Sequence, residues 1–189
     1  MNDINNNSST IFLPAIIVAT TLFLIISTQL ASNFRITISA SLPRGFWRVD
    51  SIAQPLHYDE IVTFCPPENA VIAMAKTREY VGPGRCPAGI ETQMKPVVAL
   101  PGDTVEVEAD GIRVNDILLP NSAPLEWDGQ RRKAPAVAFS REVVPFGFVW
   151  LVSTYNPWSF DSRYYGKVPT STIRQSVRPL LIEAAQNVH

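Results

Sequence analysis

Residues 34–47 read FRITISASLPRGFW, and this stretch decides how the rest of the chain is interpreted. In residues 34–39, Phe and Ile alternate with Arg, Thr and Ser, which predicts a half-buried β-strand. The strand leads directly into Ser41, which is followed by Pro43 and Gly45. A serine in front of proline is ordinarily a turn residue. Ser41 is therefore a candidate nucleophile only if other parts of the chain support that role.

The segment that precedes this strand is apolar and uncharged. Residues 4–34 contain no Asp, Glu, Lys or Arg, and residues 11–30 are mostly Ile, Leu, Val, Phe and Ala. A helix of that length rises about 30 Å, the thickness of the hydrocarbon core of a bilayer. We predict an uncleaved transmembrane anchor at 11–30, with the lipid bilayer as its partner. A cleaved secretory signal is the alternative, although no Lys or Arg precedes the apolar run.

Composition limits the classes of function. The chain has 189 residues, a net charge of −1 and 17% charged residues, so it lacks the basic face that a nucleic acid requires. Residues 34–189 suit one domain with a sizeable core. Patterning indicates a mainly β fold, with a hairpin turn at Asp110 and Gly111 and an internal helix at 68–80. Further strands are predicted at residues 60–64, 97–100, 104–108, 112–114 and 148–153.

Lys95 opens a second segment, residues 95–103, which reads KPVVALPGD. Its neighbours Met94, Pro96 and Val97 are apolar, and no carboxylate lies within three residues of it. Burial lowers the pKa of a lysine, and a neutral amine can take the proton of a serine hydroxyl. A lysine beside a strand more often extends its amine to water. Lys95 thus becomes a candidate general base only together with Ser41.

A third segment, residues 161–166, reads DSRYYG. In this order, behind one apolar segment, the three segments resemble the type I signal peptidase family, whose members use a serine–lysine pair. The Ser-x-Pro-x-Gly-x-aromatic pattern from Ser41 to Trp47 is most similar to the conjugative-transfer branch, the TraF-type peptidases. General signal peptidases have a longer spacing from serine to proline, and an arginine where this chain has Pro96.

The resemblance implies a role for each site residue. Ser41 would be the nucleophile, Lys95 the general base and Asp161 a supporting acidic residue. Three further residues have oxyanion or supporting roles by the same resemblance. Ser39 would donate to the oxyanion beside the Ser41 N–H, Ser159 would bond to the lysine amine, and Arg163 would be structural; Ser39 is equally well an ordinary polar strand residue.

The resemblance also implies location and substrate. It places the tail, residues 1–10, in the cytoplasm, the anchor in the bacterial inner membrane as a single pass, and residues 34–189 in the periplasm. The expected fold is a β-rich catalytic domain with a small inserted subdomain, and an irregular insertion is expected around 111–145. The implied substrate is an exported precursor, above all the conjugative pilin subunit, with an acyl-enzyme resolved by water or by the substrate's own amine. A general leader peptidase and a non-catalytic assembly factor remain as alternatives.

Cys65 and Cys86 are the two cysteines, and they enclose a stretch rich in Pro and Gly. In an oxidising periplasm they are expected to form a disulfide, with two buried thiols as the alternative. A zinc site is not expected, because no pair of histidines accompanies them. A Ser-His-Asp triad would have to use His57, which we do not favour. No metal or organic cofactor is implied, because every chemical role has a side chain.

Overall fold

The computed structural model describes residues 9–37, 39, 41–52, 55–135 and 139–183. More of these residues lie in strands than in helices, which confirms the predicted mainly β fold. The helices are α1 (Ser9–Ser32), α2 (Ala70–Thr77) and α3 (Ser162–Tyr165). The strands are β1 (Phe34–Thr37), β2 (Gly45–Asp50), β3 (Ile61–Phe64), β4 (Gln93–Ala99), β5 (Thr104–Glu108), β6 (Gly111–Val114), β7 (Ile117–Leu118), β8 (Ser140–Val143), β9 (Phe148–Leu151), β10 (Val168–Pro169) and β11 (Ile173–Ile182).

The larger sheet has seven antiparallel strands in the order β1-β2-β11-β3-β4-β9-β10. β1 is an edge strand, whereas β4 is paired on both sides, with Val62 opposite Lys95 and Leu151 opposite Val97. The main core packs on this sheet. Its largest fully buried members are Phe64, Ile72, Ile90, Leu151, Val62, Val97 and Val149.

The loop between β3 and β4 carries α2 and is closed by a disulfide. Asn69 caps α2, because its side chain accepts a hydrogen bond from the Ile72 N–H at 3.0 Å. Cys65 and Cys86 are bonded and buried in the main core. The predicted disulfide is thus confirmed, and it joins the loop to the end of β3.

The smaller sheet has four strands in the order β7-β6-β5-β8 and covers a separate core that includes Val105, Ile112 and Trp150. Three of its strands, β6 to β8, fall within 111–145, so the expectation of an irregular insertion there is only partly correct. β8 was not predicted. Three of its four residues are exposed. Such a strand shows no alternation of apolar and polar side chains, and its pairing with β5 determines it.

α1 contains the predicted anchor, residues 11–30. Many of its apolar side chains between residues 13 and 26 are exposed, among them Leu13, Ile17 and Phe23. Within the part of the chain that the structure describes, no helix is both long enough and apolar enough to cross a bilayer. The anchor at 11–30 stays a prediction. The tail at 1–10 lies outside them except for Ser9 and Thr10.

Candidate active site

Lys95 is placed by β4, in which residues 95, 97 and 99 point to the buried side. Only 4% of Lys95 is exposed. Its amine forms no hydrogen bond or ion pair with another residue that the structure describes. A lysine held in this way carries a large desolvation cost when it is charged. Burial accordingly lowers the pKa of Lys95 from 10.5 to about 8.

Ser41 lies in the turn that joins the edge strand β1 to β2 and is half-buried. Ser41 and Lys95 line one cavity of about 420 Å³, together with Ser39 and Glu91. The fold therefore brings a hydroxyl and a buried amine to one enclosed space, although they are 54 residues apart in the chain. A hydrogen bond between the two side chains is not formed in this structure, and such bonds are often loose until substrate binds.

Asp161 and Arg163 form an ion pair with both side chains fully buried, and the Arg163 Nε lies 2.8 Å from the Asp161 Oδ1. Asp161 also caps α3, accepting from the Arg163 N–H at 3.2 Å. The guanidinium donates further to backbone carbonyls, including that of Asn121 at 2.9 Å. After burial, the Asp161 carboxylate acts on Lys95 by raising its pKa, and Arg163 lowers it. The paired charges oppose each other, so burial remains the dominant cause of the lowered pKa.

Ser153 connects this ion pair to Ser41, and no motif in the sequence marks it as a site residue. Its N–H donates to the Asp161 Oδ2 at 3.0 Å, and its carbonyl accepts from the Arg163 Nη2 at 2.8 Å. Its hydroxyl donates to the backbone carbonyl of Ser41. A serine two residues after a strand carries no pattern that distinguishes it, and the link spans 112 residues of sequence.

A second cavity, of about 280 Å³, also borders Ser41, and several of its lining side chains are aromatic. It is lined by Trp127, Trp158, Phe160 and Tyr164, among others. Ser39, Ser41, Tyr80 and Phe160 line both cavities. Ser41 thus lines both the cavity that contains Lys95 and the cavity that contains the aromatic side chains.

The remaining predicted residues differ in outcome. Ser39 lines both cavities with Ser41, and its role as an oxyanion donor stays a prediction. The predicted bond from Ser159 to the lysine amine is absent, because the buried Ser159 hydroxyl has no hydrogen-bond partner among the described residues.

His57 is exposed and lines a different groove, with Asp50 and Arg178, that does not include Ser41. Among the described residues, no three His, Cys, Asp or Glu side chains are grouped as metal ligands.

Comparison with known proteins gives a family match along most of the chain. The family model described as signal peptidase, peptidase S26, matches residues 9–181. The plasmid transfer protein TraF of Escherichia coli is 36% identical over 151 residues, covering 80% of this chain and 84% of that protein. The conjugal transfer protein TraF of Agrobacterium fabrum is 36% identical over 152 residues, covering 80% and 84%.

A solved structure is also similar. A crystal structure of a signal peptidase I from Enterococcus faecalis matches 67% of this chain and 98% of its own, with 21% sequence identity and a TM-score of 0.38.

Proposed function

The chain belongs to the signal peptidase family, peptidase S26, and from that membership we propose that it is a serine peptidase with Ser41 as nucleophile and Lys95 as general base. One observation carries the proposal: Ser41 and the buried Lys95 line the same cavity. With a pKa of about 8, about a tenth of the Lys95 amine is neutral at pH 7, far more than for a lysine with the ordinary pKa. Only that form can accept the serine proton.

In the proposed reaction, the Ser41 Oγ forms a bond to the scissile carbonyl carbon as its proton passes to the Lys95 Nζ. The C–N bond then breaks, and the ammonium returns the proton to the departing amine. The developing oxyanion would accept hydrogen bonds from the Ser41 N–H and the Ser39 hydroxyl, and one such donor contributes about 3 kcal/mol in comparable sites. Water, or an amine of the substrate, then displaces Ser41 from the acyl-enzyme.

Asp161 and Arg163 would support this site without entering the reaction. Their ion pair is fully buried. Asp161 accepts from the backbone N–H of Ser153, and Arg163 donates to the backbone carbonyl of the same residue. Because the two charges oppose each other at Lys95, they can rigidify the site while the pKa of the amine stays low. A lone carboxylate at that place would raise the pKa of Lys95 and hold the amine charged.

The substrate is proposed from the relatives, which are named as conjugal or plasmid transfer proteins. We take it to be an exported precursor of the conjugation apparatus, the pilin subunit. Such a substrate would be met in the periplasm, where the Cys65–Cys86 disulfide is stable. The exposed apolar side chains of α1 suit association with the membrane from which that precursor emerges.

Co-expression tests the proposal directly. The pilin precursor encoded by the same transfer system is expressed with wild type, Ser41→Ala, Lys95→Ala and, as a control, Lys76→Ala, an exposed lysine. The intact mass of the product is then measured. We expect mature pilin with wild type and Lys76→Ala, and unprocessed precursor with the other two variants. A product lighter than the linear peptide by one water would indicate cyclisation.

Other outcomes separate the alternatives. Normal processing by folded Ser41→Ala and Lys95→Ala proteins would contradict the proposal. Cleavage of unrelated secretory leader peptides at comparable rates would favour a general leader peptidase. Unprocessed pilin with wild type, together with a transfer defect only when the whole gene is deleted, would favour a non-catalytic assembly factor.

A further inference from the structure

The described residues of the turn that carries Ser41 have few polar contacts with the body of the protein. It follows the edge strand β1, which has one neighbouring strand, β2. Leu42 is buried against Trp47 and Val177 and holds the turn by packing. Among the described residues, one side chain bonds to Ser41, and that is Ser153.

The direction of this hydrogen bond follows from its partners. The Tyr155 N–H lies 3.3 Å from the Ser153 Oγ and donates to it. The Ser41 carbonyl can only accept, so the proton of the Ser153 hydroxyl points to Ser41. Ser153 is fully buried, and water cannot replace this bond without entering the core.

We propose that Ser153 is a positioning residue that holds Ser41 in register with Lys95. This inference rests on the proposed function of Ser41 and Lys95. The backbone of Ser153 is fixed by Asp161 and Arg163, and its hydroxyl fixes the carbonyl of Ser41. The buried ion pair is therefore connected to the nucleophile by hydrogen bonds through one residue, Ser153. Small displacements of a reacting group from its productive position are costly, about a hundredfold in rate for 1 Å.

Ser153→Ala tests this role cleanly, since it removes only the hydroxyl. The N–H bonded to Asp161 and the carbonyl bonded to Arg163 both remain. The matched control is Ser122→Ala, in the segment between β7 and β8. Ser122 is also buried, and its hydroxyl likewise donates to a carbonyl, of Leu119, and accepts from an N–H, of Ile112. Loss of either hydroxyl has a similar expected cost in stability, because each removes one buried hydrogen bond to a carbonyl and leaves one N–H without its acceptor.

The full chain is purified in detergent and assayed with a peptide that spans the pilin processing site, alongside Ser41→Ala. For Ser153→Ala we expect kcat to fall about tenfold to a hundredfold, with KM and the acid limb of the pH profile unchanged. Ser122→Ala is expected to keep the kcat of wild type. Thermal unfolding of both variants is measured in the same detergent.

Three results would overturn the inference. One is a kcat for Ser153→Ala equal to that of Ser122→Ala. Another is a shift of the acid limb of the pH profile, because Ser153 would then change the electrostatic environment, and so the pKa, of Lys95. The third is unfolding of Ser153→Ala far below Ser122→Ala, which would make the hydroxyl a requirement of the fold. Wild-type activity in Ser41→Ala would instead refute the proposed function itself.

Discussion

The side chains of Asp161 and Arg163 form an ion pair from which solvent is excluded completely. Both carboxylate oxygens are used, because Oδ1 accepts from the Arg163 N–H and Nε, and Oδ2 accepts from Nη2 and from the Ser153 N–H. A buried pair that is satisfied in this way contributes little net stability compared with apolar side chains, but removal of one partner leaves an uncompensated charge. A single substitution in this pair should therefore lower the free energy of unfolding strongly.

Asp161→Asn should lower the free energy of unfolding by about 3–5 kcal/mol. The substitution preserves the shape of the side chain but leaves the Arg163 guanidinium charged and unpaired in the core. Urea unfolding followed by circular dichroism measures the change. Asp110→Asn is the matched control, because the pair of Asp110 with Arg113 is exposed and screened by solvent, so that its loss should lower the stability far less than the loss of the buried pair. Equal effects at the two sites would contradict the argument.

The pH dependence of the reaction should report Lys95. Burial lowers its pKa to about 8, and the proposed base is the neutral amine. The value of kcat/KM should therefore rise with pH and reach half its plateau near pH 8. A peptide assay between pH 6 and 10 measures this limb. A midpoint near 6.5 would instead indicate a histidine, and would direct attention to His57.

Asp161→Asn offers a second measurement on the same limb. The carboxylate raises the pKa of Lys95 and the guanidinium lowers it, so loss of the negative charge should move the limb to lower pH. Variant protein that remains folded is assayed over the same range. An acid limb that moves to higher pH would show that Asp161 does not act on the Lys95 amine as a negative charge.

Local signals in the sequence were sufficient for the elements with regular patterning. The predicted strand at 104–108 coincides with β5, in which Val105 and Val107 are buried, and the predicted helix at 68–80 contains α2. The segments that contain Ser41 and Lys95 were found as motifs, and the fold brings both to one cavity. These features depend on residues that are close together in the sequence, so they can be predicted from it.

The rest depends on pairing between distant parts of the chain. β11 lies between β2 and β3, with Val177 opposite both Val49 and Ile61, and it contains Pro179 and an irregular register. The second half of this strand is exposed, so no alternation marks it in the sequence. Ser153 was missed for the same reason, since its role arises from contacts with residues 41, 161 and 163.

The disulfide should stabilise the chain mainly by restricting the unfolded state. Its cysteines are 21 residues apart, which corresponds to about 3 kcal/mol. The double variant Cys65→Ala/Cys86→Ala should lose that amount in urea unfolding, and reduced wild type should behave similarly. Wild-type protein whose stability does not change on reduction would show that the two thiols are not paired.

Lys95→Met should abolish processing and yet make the protein more stable at neutral pH. The amine is buried, and the lowering of its pKa from 10.5 to about 8 corresponds to about 3 kcal/mol, at roughly 1.4 kcal/mol for each tenfold change in proton affinity. Below pH 8 the lysine is charged in both the folded and the unfolded state, so the whole cost of burying the charge is present. Methionine has a similar length and no charge, and removes that cost.

The gain from Lys95→Met should disappear as the pH rises. Between about pH 8 and 10.5 the folded protein loses the Lys95 proton while the unfolded chain keeps it, so the stability of wild type increases with pH relative to the variant. Urea unfolding at pH 6.5 and pH 10 should give a difference of about 3 kcal/mol at the lower pH and a much smaller one at the higher. The control is Lys76→Met, an exposed lysine whose amine donates to the Ala88 carbonyl; it should lose at most about 1 kcal/mol, at either pH. A variant less stable than wild type at pH 6.5 would mean that the amine contributes favourable contacts that outweigh its desolvation, and Lys95 would then be a structural residue.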